Sequence, residues 1–180
     1  MKYWIFIALA IGGLNGCSQL VEKTDVHAGQ VFQLNKPIEI QADTTRRFIQ
    51  HGELTSRFAF DRREQHCRLE VRTLAETART VNPDHFMITR VRFDSEAIAM
   101  RPQMLAAGFG FNLSLAMDDD GPAEIMDLIL IDLESPHQPD VMRLVCAGAL
   151  SDGDMLDYPR NLRPMLDQIH AILGDYGRIK

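Results

Sequence analysis

A chain of 180 residues with 46% hydrophobic and 24% charged side chains has the make-up of a folded globular protein, which excludes a disordered or fibrous one. Its net charge of −6 at pH 7 argues against nucleic acid as the principal partner. No internal repeat or low-complexity tract divides the sequence, and its length suits one domain large enough to bury a core without a metal.

The first element in chain order is an apolar run from Tyr3 to Leu14, preceded by Lys2. At about a dozen residues it is too short for a helix crossing roughly 30 Å of hydrocarbon. A basic start, an apolar middle and small residues at the end predict a secretory signal peptide. The run closes in Leu14-Asn15-Gly16-Cys17, which resembles the lipobox of bacterial lipoproteins. That resemblance implies removal of residues 1–16 and attachment of diacylglycerol and a further acyl chain, such as palmitate, to Cys17. Each buried CH₂ contributes about 0.8 kcal/mol, so several chains hold a protein firmly to a membrane. Ser18 follows, where an aspartate would resemble an inner-membrane retention signal. The resemblance therefore implies a Gram-negative outer-membrane lipoprotein facing the periplasm. Residues 17–29 are polar and lack a clear period, and they predict a lipidated tether. Residues 30–180 then form a single β-rich domain.

Within that domain, short alternating runs predict strands at VFQL (31–34), PIEIQ (37–41), TRRFIQHG (45–52) and RFAF (57–60). HCRLEVRTL sets Cys67, Leu69 and Val71 against Arg68, Glu70 and Arg72, which predicts a half-buried strand with its charges outside. FMITRVRF (86–93) sets Met87, Val91 and Phe93 against Ile88, Arg90 and Arg92. Residues 95–107 carry helix-favouring Ala, Met and Leu around Pro102, and read as a loop with one helical turn. GFGFNLSLAM alternates at Phe111, Leu113 and Leu115. Residues 117–122, three aspartates before Gly121-Pro122, read as a solvated turn, since they lack the alternating acids and distal glutamate of an EF-hand. MDLILIDLES (126–135) is nearly continuous in apolar residues, as a central strand is. SPHQPD turns it back into VMRLVCAG. From Asn161 the apolar residues Leu162, Met165, Leu166, Ile169, Ile172 and Leu173 follow helical spacing. Asn161 is the expected cap, Gly174 the stop, and YGRIK a short final strand. The expected fold is mainly β: an antiparallel sandwich or barrel-like sheet with one C-terminal α-helix packed on it.

After lipidation two cysteines remain, Cys67 and Cys146, in an oxidising compartment. Both share a strand parity with apolar neighbours, so a buried disulfide is expected. A metal site beside His66 is the alternative, but no CxxC, HxH or HxxxH spacing supplies further ligands. A redox pair would need a CxxC. The strands HCRLEVR and RLVCAG resemble those of small Gram-negative envelope lipoproteins, a likeness that brings no activity with it.

Charge is unevenly spread. Residues 46–101 carry 11 arginines against 8 acids, and residues 102–180 carry 5 bases against 13 acids. Either the two halves attract one another, or the arginines gather into a patch for an anionic envelope component such as a lipid phosphate or a peptidoglycan carboxylate. No GxSxG, Walker or HExxH motif is present, and Gly108-Phe109-Gly110 is a lone GxG. The six histidines, at 27, 51, 66, 85, 137 and 170, are scattered. The sequence therefore assigns no catalytic residue, metal or cofactor. It predicts a non-enzymatic binding or accessory module held to the membrane by its lipid, with an envelope protein as partner. A carrier or sensor of a small apolar or anionic ligand is the second reading. A hydrolase is the third, and it would require a histidine gathered with aspartate and serine in a cleft.

Overall fold

The computed structural model describes residues 25–56, 58–99, 124–148 and 163–180. Among the described residues ten strands run in chain order: β1 (Val31–Leu34), β2 (Ile38–Ile40), β3 (Arg46–Gln50), β4 (Glu53–Thr55), β5 (His66–Val71), β6 (Arg79–Val81), β7 (Asp84–Ala99), β8 (Glu124–Glu134), β9 (Val141–Ala147) and β10 (Gly177–Ile179). One helix, α1 (Leu166–Leu173), and a 3-10 turn (Gly174–Tyr176) precede β10. Eight strands form an antiparallel half-barrel in the order β10-β1-β7-β8-β9-β5-β3-β4, and β2 pairs with β6 as a separate ribbon. The protein is thus mainly β with a single short C-terminal helix packed on the sheet.

The inner face is built by strand parity. Cys67, Leu69 and Val71 of β5 line up with Leu144 and Cys146 of β9 and with Ile129, Ile131 and Leu133 of β8, all buried. Phe32 and Phe86 meet across β1 and β7 with ring centroids 6.2 Å apart. Ile38, Ile40 and Val81 of the small ribbon join this core, as do Ile169, Ile172 and Leu173 of α1. Val26 is also fully buried there, so packing begins before residue 30.

β8 is buried on both faces, as its continuous apolar run requires. Its other parity, Met126, Leu128 and Leu130, clusters with Val145 and Ala147 on the outer face.

The described helix runs from Leu166, and the expected cap Asn161 lies outside the described residues. Gln168 supplies the cap, its side-chain oxygen accepting the Met165 N–H at 2.8 Å. Gly174 ends the helix at φ +55°, and a Cβ there would lie 2.7 Å from the Gly52 Cα. The Gly52 N–H also donates to the Ile172 carbonyl at 2.9 Å. The β3–β4 turn and the helix end therefore meet backbone to backbone, which only glycine permits. At the other side of the helix, the Ile179 N–H donates to His170 Nε2 at 3.1 Å. In this way α1 reaches from β10 to the β3–β4 turn at the far edge of the sheet.

Three expectations are corrected. Residues 58–60 of the RFAF run form a turn instead of a strand, and the strand is β4. Residues 95–99 continue β7 rather than starting a loop, because they pair with the start of β8. Thr89 forms a bulge between Ile88 and Arg90, so Ile88 shares the inner face with Val91 and Phe93 while Met87 is 48% exposed. Residues 100–123, including GFGFNLSLAM and the aspartate turn, lie outside the described residues, as do residues 1–24 with Cys17.

Candidate functional site: an arginine cleft

On the outer face the strand register sets five charges in one row: Arg46 (β3), Glu70 (β5), Arg143 (β9), Asp132 (β8) and Arg90 (β7). Alternating signs directly across strands attract one another. Glu70 is clamped. It accepts from Arg68 Nε at 2.8 Å and from Arg143 Nε at 2.7 Å, and its side chain is only 9% exposed. Burial pushes its carboxyl pKa up, but the two guanidinium hydrogen bonds outweigh that and hold it below the ordinary value. The expectation that this parity of β5 faces water is therefore wrong for Glu70. Asp132 takes Arg92 at 2.7 Å, and Glu96 takes the far end of Arg68 at 3.1 Å. Arg79 pairs with Asp140 at 2.7 Å. Most of these arginines are thus consumed in holding the sheet together.

Three are not. β4 pairs with β3 only as far as Thr55 opposite Phe48, and the chain then leaves the sheet at Ser56. It turns back through residues 58–61, held by the Ala59 N–H on the Ser56 carbonyl at 3.1 Å and by Gln50. The Gln50 amide donates to the Asp61 carbonyl at 3.0 Å and accepts the Asp61 N–H at 3.1 Å. This return lays Phe60 on Phe48, ring centroids 4.1 Å apart, with the buried His66 ring edge-on to Phe60 at 4.9 Å. The opposite wall is the turn Gln41–Thr45. Asp43 sits there at φ +57° with its N–H on the Ala75 carbonyl, and the Thr44 hydroxyl donates to the Gln41 carbonyl.

Between these walls lies a cleft of about 280 Å³, floored by Phe48 and Phe60 and lined by Arg46, Arg47 and Arg62. Arg46, Phe48, Phe60 and Arg62 also border a smaller pocket of about 90 Å³ beside Met126 and Leu128. Among the described residues none of the three arginines has an ion-pair partner, although Arg46 stands directly opposite Glu70. Arg47 Nε is buried without an acceptor. Guanidiniums present planar forks that match carboxylate and phosphate oxygens. Such forks in one cleft could receive an anion.

A second cleft, of about 440 Å³, is bordered by Arg72, Arg92, Asp132, Glu134 and Arg143. Its cations are occupied: Arg92 by Asp132, Arg143 by Glu70, and Arg72 Nε by the Pro139 carbonyl.

The structure does gather a serine, a histidine and an aspartate at the β8–β9 turn. The wiring is not that of a nucleophile. The Ser135 hydroxyl donates to Asp84 Oδ2 at 2.7 Å and accepts the His137 N–H at 3.1 Å, and Ser135 is 1% exposed. The His137 ring lies 3.5 Å from Asp84 Oδ1 and has no hydrogen bond to the hydroxyl. A triad needs the base on the nucleophile and the acid behind the base. Burial alone would raise the Asp84 pKa. Hydrogen bonds from Ser135, the His85 N–H, Gln138 and His137 outweigh it and bring the carboxyl to about 2. Asp84 is the polar hub of the turn, and it stays ionised.

Of the residues singled out by sequence, Cys67 and Cys146 are joined in a disulfide, fully buried and directly paired across β5 and β9 with Cα atoms 4.0 Å apart. His66 is buried, its Nδ1 2.9 Å from the Glu64 carbonyl, and burial lowers its pKa. Among the described residues no three His, Cys, Asp or Glu side chains gather as a metal site would require. No described helix is long and apolar enough to cross a membrane. Of the arginines between 46 and 101, the structure unites Arg46, Arg47 and Arg62, while Arg57 and Arg101 lie outside the described residues. Sequence reading missed this trio. Its only local signal is the doublet Arg46-Arg47 after Thr44-Thr45. Compared with known families, curated proteins and solved structures, the chain matches none.

Proposed function

We propose that this is a lipid-anchored outer-membrane protein facing the periplasm, a non-enzymatic binding module that engages an anionic component of the cell envelope. The observation that carries the binding reading is the cleft. Among the described residues it gathers Arg46, Arg47 and Arg62 without an ion-pair partner, while Arg68, Arg79, Arg92 and Arg143 are paired. The anchor reading rests on Cys17 and the lipobox resemblance before it. A buried disulfide suits an oxidising compartment. The hydrolase reading loses support, because the gathered serine spends its proton on Asp84 and faces no base. The carrier reading shifts from the interior to the surface. Phe32, Phe86, Ile169 and Leu173 occupy the space between sheet and helix, and the cleft opens on the rim.

Co-sedimentation with isolated envelope fragments tests this directly. A Cys17→Ser protein lacks the lipid, so its retention reports the domain alone. Retention is expected at low salt, weakened at high salt through screening, and reduced at least tenfold in an Arg46→Gln, Arg62→Gln double variant. A double variant retained as well as its parent would place binding elsewhere.

A further inference from the structure

We infer that the cleft is a phosphomonoester site, built for a dianionic phosphoryl head group rather than a carboxylate. The inference rests on the reading of the cleft as the binding surface, and it names the chemistry of what enters.

Charge is the first argument. Three guanidiniums and the single carboxylate of Asp43 border the cleft, a balance of two positive charges. A carboxylate brings one negative charge and is satisfied by one bidentate arginine. A phosphomonoester brings about −1.5 to −2 at pH 7 and three strong acceptor oxygens.

The supply of unused donors is the second. The Thr44 hydroxyl is spent on the Gln41 carbonyl. The Ser56 hydroxyl accepts the Phe58 N–H and keeps its own proton to give. Together with Thr45 and the guanidiniums of Arg46, Arg47 and Arg62, the cleft holds more donors than one carboxylate can absorb.

Size is the third. Liquid water takes about 30 Å³ per molecule. A cleft of about 280 Å³ therefore admits a phosphoryl group and a small polyol, and the neighbouring pocket of about 90 Å³ is too small for an acyl chain. A lipid would be read by its head group, with its tails left in the membrane. A soluble sugar or glycerol phosphate offers the same chemistry.

The test uses the full lipoprotein in phosphatidylcholine nanodiscs, titrated calorimetrically with glycerol 3-phosphate, dimethyl phosphate and acetate. Glycerol 3-phosphate should bind at least tenfold more tightly than the other two. Arg62→Gln should lose at least tenfold, and because Arg62 is exposed, its circular-dichroism melt should match the parent's. Arg46→Lys, which keeps the charge and loses the fork, should fall between them. Nanodiscs containing phosphatidic acid separate the sources. If they abolish glycerol phosphate binding, the head group is a lipid's; if they leave it unchanged, the ligand is soluble, and either result supports the site. Acetate binding as tightly as glycerol 3-phosphate, or an Arg62→Gln protein that binds like the parent, overturns the inference. If phosphate fails while envelope fragments still retain the protein through Arg46 and Arg62, only the phosphate chemistry falls. If both fail, the binding reading falls with it.

Discussion

Replacing both Cys67 and Cys146 with alanine should lower the melting temperature by about 10–20 °C. The two residues are 79 apart in sequence, and the chain-entropy model gives about 4.5 kcal/mol for closing such a loop. Their place in the fold adds to the effect. Within the sheet, the strands β10-β1-β7-β8-β9 and the strands β5-β3-β4 join only through the β5–β9 pairing, with α1 as a second tie, and the bridge crosses that seam. Alanine is the right replacement, because both positions are fully buried and a serine hydroxyl would add a desolvation cost of its own. Differential scanning calorimetry decides the matter. A double variant melting within about 3 °C of the parent would mean that the ladder alone holds the seam.

Removing the Glu70 carboxylate should be nearly as damaging. Glu70→Ala leaves Arg68 and Arg143 facing each other across a half-dry face, and breaking a buried pair in this way costs about 3–5 kcal/mol. Glu70→Gln keeps the shape and loses the charge, with an expected cost of about 1.5–3 kcal/mol. The pH dependence follows from the lowered pKa. A carboxylate held below its unfolded value contributes fully above that value, near 4.5, and loses its contribution as the pH falls through the folded one. The stability gap between the parent and Glu70→Gln should therefore be widest at pH 7 and narrow below about pH 4.5. Urea denaturation midpoints across that range would show it. A gap that is flat or widens in acid would mean that the clamp is not what stabilises the row.

How far these features were legible in the sequence depends on the range of the interaction. β1, β2, β5, β8 and β9 were readable because parity and continuous apolar runs act locally. The disulfide was readable because both cysteines share a parity with apolar neighbours. The Thr89 bulge was not, since one inserted residue changes which of Met87 and Ile88 faces the core without altering composition. The RFAF run misled because its aromatic alternation has another cause: Phe60 stacks on Phe48, while Phe58 points outward at 87% exposure. Parity alone predicts a solvated Glu70, but Arg68 and Arg143 close over its carboxylate and leave the side chain 9% exposed. The cleft was invisible for the most physical of reasons. It forms where β4 peels away from β3, and no residue type announces where a strand will stop pairing.

The cleft is the surface proposed to meet the envelope. Placing a photocrosslinking amino acid at Leu74, 66% exposed on the cleft rim, and at Arg178, exposed on β10 at the opposite edge of the sheet, tests that in intact cells. The account predicts an ultraviolet-dependent adduct from Leu74 that disappears when Arg46 and Arg62 are changed to glutamine, and none from Arg178. Adducts from Arg178 alone, or from Leu74 regardless of the arginines, would contradict it.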